Sequence, residues 1–164
     1  MDSYRYDVVV AGGGPAGIAA AIVSARAGRK TAIIERYGCV GGGITSSYVR
    51  PFLGSVQNEN VGNEIEKRIH EAESFCSPVE AAKIVLAEMI REAGIDLFLQ
   101  SQVVSSDAVS DESGIKTVKS ITAVSHGKEY TFFADAFIDA TGDGDLSVIS
   151  GAEYEIGREA DGLV

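Results

Sequence analysis

From Tyr6 to Glu35 the hydrophobic pattern switches from strand to helix and back. Tyr6–Ala11 (YDVVVA) is a short continuous β-branched run, as in a strand buried on both faces of a parallel sheet. The helix that follows is predicted to start near Pro15, a residue suited to the first helical position, and to stop at Gly28. Lys30–Glu35 (KTAIIE) reads as a second strand, so the segment forms a right-handed βαβ crossover. From Arg36 to Val56 no periodicity survives; glycine, serine and threonine dominate, and a long functional loop is predicted.

Helical spacing returns with Val61, Ile65, Ile69 and Ala72, giving an amphipathic helix over roughly Asn58–Ser74. Ser77-Pro78-Val79-Glu80 combines an N-cap serine, a first-turn proline and a capping-box glutamate. The helix it opens carries an apolar stripe of Val85, Leu86, Met89 and Ile90 and ends at Gly94. Ile95–Leu99 then reads as a third parallel strand. Gln102–Val109, Lys116–Val124 and Glu129–Ala134 alternate as a small antiparallel meander, with turns at Asp111–Gly114 and His126-Gly127. Ala136–Ala140 is again a buried apolar strand, followed by a glycine–aspartate turn at Thr141–Asp145 and a short helix near Leu146–Gly151. The expected fold class is α/β: a Rossmann-like domain with a central parallel sheet and a small antiparallel β-meander. No internal repeat or interdomain linker interrupts it, so residues 1–164 are expected to form one domain.

Composition changes this picture little, except through its 19 glycines, which cluster at Gly12–Gly17, Gly41–Gly43 and Gly142–Gly144 and so mark particular turns. A formal net charge of −10 repels phosphate backbones and anionic lipid, which argues against nucleic acid and membrane as partners. Any bound anion must then be held by backbone N–H groups, helix termini or isolated arginines. Cys39 and Cys76 lack CxxC spacing, which suggests a reducing compartment without a disulfide framework. The apolar stretch Val8–Ala25 is no signal peptide, because Asp2 and Asp7 precede it and Gly12–Pro15 breaks it; the expected location is the cytoplasm.

Three constellations carry candidate chemistry. In the first, Gly12-x-Gly14-x-x-Gly17 follows a buried strand and opens a helix, and Glu35 ends the next strand. Gly12 allows a tight turn. Gly14 lets the backbone approach a pyrophosphate, whose charge the helix N-terminus meets, and Gly17 permits close packing of helix on strand. Glu35 is placed to accept hydrogen bonds from ribose hydroxyls and would repel the 2′-phosphate of NADP. The segment is therefore built for the ADP half of a dinucleotide. In the second, Gly41-Gly42-Gly43-Ile44-Thr45 exposes backbone N–H groups near the same pyrophosphate, a loop that a plain NAD-binding domain would not need. The third is Ile138–Asp145 (IDATGDGD). Its alternating aspartates raise a calcium loop, but Ser150 stands where a bidentate glutamate is required, so a glycine turn passing close to nucleotide is the reading kept.

Together these motifs give a chain that resembles the FAD-dependent oxidoreductases of the glutathione-reductase-like fold, in particular the group with a GGxxT loop and an IDATGDGD turn. The matching stretches are DVVVAGGGPAGIAAAIVSARAG, IIERYGCVGGGITSSYVRPF and FIDATGDGDLSVISGAEYEIGREADGLV, and the capped helix SPVEAAKIVLAEMIREAG also matches. The resemblance implies FAD as cofactor, with Glu35 on the AMP ribose and Arg36 beside the adenine. It places pyrophosphate over Gly14, Pro15 and Ala16, with Gly42 and Gly43 on its other flank. Thr45 and Ser46 would face the ribityl–flavin end, and Val103 or Val104 would meet adenine through the backbone. Thr141, Gly142 and Asp143 would close over the nucleotide. Val40 stands where the family usually has leucine or a similar residue. In the family a sequence like GREADGLV leads into a substrate domain, which is expected to be absent from residues 1–164. Either the chain is a truncated product, or self-association or a second chain completes the flavin half of the site.

No side chain is singled out as catalytic. His70 reads as a structural or exposed residue of the first amphipathic helix, His126 as a solvated turn residue and Cys39 as an inert thiol, while Tyr48 and Arg50 lie on the loop expected to approach flavin. The function expected is the FAD-binding part of an oxidoreductase that passes a hydride or electrons between a small organic substrate and flavin. The alternatives are an NAD-binding domain of a dehydrogenase and a non-catalytic nucleotide-binding module or subunit.

Overall fold

A computed structural model describes residues 2–49, 60–158 and 160–162. Its elements are β1 (Asp2–Ala11), α1 (Pro15–Arg26), β2 (Thr31–Ile34), α2 (Val61–Ala72), α3 (Pro78–Glu92), β3 (Asp96–Phe98), β4 (Gln102–Ser110), β5 (Lys116–Ser125), β6 (Lys128–Asp139) and α4 (Asp145–Ile149). The strands form one six-stranded sheet in the order β3-β2-β1-β6-β5-β4. β1 runs parallel to β2 and β6, and β2 runs parallel to β3; β4–β5 and β5–β6 pair antiparallel. This is the expected α/β architecture, with α1 as the connection between the neighbouring parallel strands β1 and β2.

The sheet is buried on both faces where β1 lies between two parallel neighbours, which explains the unbroken apolar run there. Val10, on one face, packs with Ile18 and Ile22 of α1, Ile65 and Ile69 of α2, and Leu86 and Met89 of α3. Val9 and Ala11, on the other, pack with Ile121 and Ala123 of β5 and Phe132 of β6. The rings of Tyr4, Phe98 and Phe132 meet at 4.9–5.4 Å on this second face. Tyr6 donates its hydroxyl to Asp96 at 2.8 Å, linking β1 to β3 across β2. Burial, reinforced by that bond to Asp96 and its negative charge, pushes the Tyr6 phenol far above its ordinary range.

Two local expectations change. The meander's third strand and the apolar strand after it are a single strand, β6, paired with β1 from Asp2↔Tyr130 to Ala11↔Asp139. The meander therefore extends the central sheet. Ser77 caps α3 by backbone position without a side-chain hydrogen bond, and Glu80 pairs with Lys83 at 2.8 Å, so no capping box forms. At α2 the cap is Asn60, whose Oδ1 accepts from Gly62 and Asn63 N–H at 2.8 and 3.1 Å. The predicted start of that helix at Asn58, and Arg50, lie outside the described residues. Among the described residues no helix is long and apolar enough to cross a membrane.

Candidate functional site

The carboxyl ends of β1, β2 and β6 converge on three turns, the arrangement in which open α/β sheets form ligand crevices. β1 passes through Gly12 into α1. Gly12 has φ +103°, and a Cβ there would strike the Ala140 carbonyl at the end of β6. A Cβ at Gly17 would strike the Gly12 carbonyl, so this glycine lets α1 lie directly against the turn. The first helical bond of α1 runs from Ile18 N–H to the Gly14 carbonyl at 2.9 Å, leaving the N–H groups of Ala16 and Gly17 without helical acceptors. With no acidic side chain in the first turn, the positive end of the helix is open.

Around that end lies a cleft of about 390 Å³. One wall is Gly14, Pro15 and Ala16; a second is Glu35, Arg36 and Tyr37; the loop residues Gly42, Gly43, Ser46 and Ser47 form a third. Ala140, Thr141, Gly142 and Asp143 close the fourth side. Arg36 is the one cation among these described lining residues and also borders a small crevice with Ser101, Gln102 and Val103. Its guanidinium sits 5.0 Å from the Tyr37 ring centroid.

Glu35 is 4% exposed, and both carboxylate oxygens already accept backbone bonds, from Gly13 N–H at 2.6 Å and Tyr37 N–H at 2.8 Å. These bonds fix the carboxylate at the cleft wall. The glycine loop is tied to the first turn by Gly41 N–H to the Gly13 carbonyl at 2.7 Å. Gly42 adopts φ +50°, and its Cβ position lies 3.0 Å from Gly14 Cα, so the two glycine segments touch.

The third turn hangs on Asp139. Its Oδ1 accepts from Thr141 N–H and Oγ1 at 3.1 and 2.7 Å, and its Oδ2 from Ser147 N–H and Oγ at 2.8 and 2.7 Å. Burial works to raise this carboxyl's pKa, but the bonds from Ser147 and Thr141 outweigh it and hold the group below the usual carboxylate range. Asp139 thus organises a turn whose apex, Thr141–Asp143, faces the cleft.

Most of the sequence-predicted residues converge here: Gly14, Pro15, Ala16, Glu35, Arg36, Gly42, Gly43, Ser46, Thr141, Gly142 and Asp143 line the cleft, while Gly12 and Gly17 shape it from behind. Two are placed differently. Thr45 is 2% exposed, and its hydroxyl donates to the Val40 carbonyl at 2.6 Å, bracing the glycine loop from within. Val104 sits at an irregularity between paired Val103 and Ser105 and is 47% exposed, whereas Val103 borders the crevice. Tyr37, Ser47 and Ala140 are lining residues that the sequence reading did not name. Adjacency to Glu35-Arg36, to Ser46 and to Thr141 was the available signal. His70 and His126 lie on the exposed surface, and Cys39 and Cys76 are free, half-buried thiols.

The sequence matches the FAD dependent oxidoreductase family over residues 7–164. Among individual relatives, the soluble pyridine nucleotide transhydrogenase of Ectopseudomonas mendocina (strain ymp) is 36% identical over 98 residues, 55% of this chain and 21% of the relative. Thiamine thiazole synthase of Methanothermobacter thermautotrophicus is 31% identical over 170 residues, covering 97% of this chain and 64% of the relative. The crystal structure of Thermovibrio ammonificans THI4 superposes with a TM-score of 0.68 at 20% identity, over 94% of this chain and 67% of that one. A geranylgeranyl bacteriochlorophyll reductase-like protein from Thermoplasma acidophilum gives a TM-score of 0.58 at 19% identity, over 92% and 43%. The two curated relatives are thus matched over 21% and 64% of their length. At their identities the solved structures speak for the fold, and the match over almost the whole sequence speaks for the family. The chain belongs to the FAD dependent oxidoreductase family, with FAD as its cofactor.

Proposed function

We propose that the cleft at the carboxyl ends of β1, β2 and β6 is where this chain holds FAD, gripping its ADP half. The observation that carries this is the pair Gly14 and Gly43. Gly14 has φ −72° and ψ 180°, which any residue adopts, and Gly43 also lies outside the left-handed region. A Cβ built at either meets nothing within 4 Å. Neither backbone conformation nor internal packing requires glycine there, so the missing side chains serve whatever approaches the backbone in the cleft. A pyrophosphate fits this cradle, because open helix N–H groups and bare glycine backbone meet its charge in a cleft whose described lining holds a single cation, Arg36.

In this reading Glu35 keeps lone pairs for the ribose hydroxyls while Gly13 and Tyr37 hold it in place. Arg36 and the Val103 backbone flank adenine, Gly14–Ala16 and Gly42–Gly43 grip pyrophosphate, and Ser46 with Thr141–Asp143 leads towards the flavin end. Thr45 and Val104 act at one remove, Thr45 by bracing the loop through Val40. When bound, FAD supplies the capacity to accept and return a hydride or electron pair; the chain's residues bind and orient it. We place the chain in the glutathione-reductase-like group as a one-domain, cytoplasmic FAD-binding portion. The whole protein acts on a small organic substrate, with further sequence or a second chain completing the flavin side.

The test is uptake. Purified chain is mixed with FAD, passed over a sizing column and read in the flavin absorbance bands, with NADH in a parallel sample. Co-elution of flavin with protein is expected; a folded chain that retains NADH and no flavin would overturn the reading in favour of an NAD domain. A second reading is favoured by the thiamine thiazole synthase match over 97% of this chain. In it the same cleft serves a biosynthetic enzyme, a whole-protein reaction that the FAD experiment leaves open.

A further inference from the structure

We infer that Gln100 and His126 form a brace that positions the Glu35–Tyr37 wall for nucleotide binding; the inference rests on the proposed FAD reading of the cleft. Among the described residues, non-glycine backbone in the left-handed region occurs at Tyr48, Gln100 and His126, with φ 58°, 51° and 49°. At His126 the positive φ, shared with Gly127, is what the two-residue β5–β6 hairpin turn requires; at Gln100 such backbone is unfavourable for the side chain and persists where surrounding structure enforces it. Two of the three are joined to each other: His126 Nε2 lies 2.9 Å from Gln100 Oε1. His126 belongs to the β5–β6 turn, 26 residues away in sequence.

Gln100 reaches the cleft through the backbone. Its N–H donates to the Tyr37 carbonyl at 3.0 Å, and the neighbouring Ser101 N–H donates to the Glu35 carbonyl at 2.9 Å. Glu35 N–H in turn donates to the Phe98 carbonyl at 2.8 Å. The wall is therefore clipped from outside by residues 98–101. Tyr37 passes the position inward, since its own N–H holds Glu35 Oε1 at 2.8 Å. The left-handed turn at Gln100 places its N–H against Tyr37 and its side chain against His126. Gln100 is thus a positioning residue acting on Glu35 through Tyr37, with His126 as its anchor.

Gln100→Asn and His126→Asn both suit a left-handed backbone, and both shorten the side chain that makes the link. The tests are FAD and AMP affinity by fluorescence and calorimetry, hydrogen exchange at the amides of Tyr37 and Gln100 without ligand, and thermal melting. Each single variant is expected to weaken FAD and AMP binding about three- to ten-fold and to speed exchange at both amides. The melting midpoint should hold, and the double variant should be no worse than the weaker single one. Unchanged affinity with unchanged exchange would overturn the brace, as would additive losses in the double variant or a loss matched by general destabilisation. If wild-type protein takes up no FAD or AMP, the FAD reading falls. Exchange at Tyr37 and Gln100 then still decides whether the brace exists.

Discussion

Replacing Gly14 by alanine separates what the fold needs from what the cofactor needs. The backbone at Gly14 (φ −72°, ψ 180°) accepts alanine without strain, and the new methyl meets no protein atom within 4 Å. Restricting the unfolded chain stabilises by about 0.4–1 kcal/mol. Losing the preferred N-cap glycine costs a comparable few tenths to about 1 kcal/mol. The two nearly cancel, so the unfolding free energy should stay within about 1 kcal/mol of wild type. The methyl stands at the N-cap, the position from which a side chain reaches towards the N–H groups of the second and third helical residues, here Ala16 and Gly17. If it displaces the phosphate from one charge-assisted hydrogen bond, the loss is about 1.5–3 kcal/mol, a rise in Kd for FAD of roughly 10- to 150-fold. Gly43→Ala tests the opposite flank without any capping effect. Urea unfolding monitored by circular dichroism, alongside FAD titration by fluorescence quenching, reads both quantities. Wild-type FAD affinity in both variants, or a stability loss that accounts for the weakened binding, would refute the argument.

The contrast with Gly17 shows how much of the site could be read from residue order. Both glycines belong to one motif, and the distinct jobs expected of them correspond to distinct surroundings: open cleft at Gly14, backbone carbonyl at Gly17. Strands flanked on both sides also announced themselves, since Val8–Ala11 pairs with both β2 and β6. Residues Asp2–Arg5 pair with β6 alone and are more exposed than the rest of β1, so their polar pattern hid the start of the strand, whereas buried Tyr6 already belonged to the legible run. Asp135, which stands between the two expected strands, is exposed and lies 3.6 Å from Arg5 on the neighbouring strand, so it interrupts the apolar pattern of β6 without ending the strand. Glu80 illustrates a spacing with two outcomes, because a carboxylate in the first turn can turn back to the cap or forward to Lys83. What the sequence could not show were the backbone bonds that orient Glu35 and the inward turn of Thr45, which depend on how distant segments meet.

Further expectations concern the frame of the site. Gly17→Ala drives a methyl into the Gly12 carbonyl and should cost about 1–3 kcal/mol of stability, seen as a lower urea midpoint before any ligand is added. Asp139→Asn replaces a charged acceptor with an amide facing the Thr141 and Ser147 donors. It should cost about 1.5–3 kcal/mol and weaken FAD binding by loosening the 141–143 turn; a melt with FAD titration checks both. Glu64 accepts a bidentate pair from Arg26 at 2.6 and 2.9 Å and a further bond from Arg68 at 2.9 Å, with Arg68 also holding Glu92 at 2.7 Å. The Arg26 hydrogen bond leads the interactions that keep the Glu64 carboxyl below its ordinary range. Its contribution is therefore present in full above the ordinary glutamate range and is lost as pH falls through the depressed folded value. Glu64→Gln should cost about 0.5–1 kcal/mol at neutral pH and low salt, a difference that shrinks in acid or high salt when denaturation curves are compared.

The central claim is that FAD lies over the bare glycine backbone at the open end of α1. Backbone amide resonances followed during an FAD titration test it most directly. The account predicts the largest shifts at Gly14, Ala16, Gly43 and Gly142, with AMP alone reproducing the changes near Glu35 and Arg36. FAD binding that leaves those amides unmoved while shifting others would contradict it.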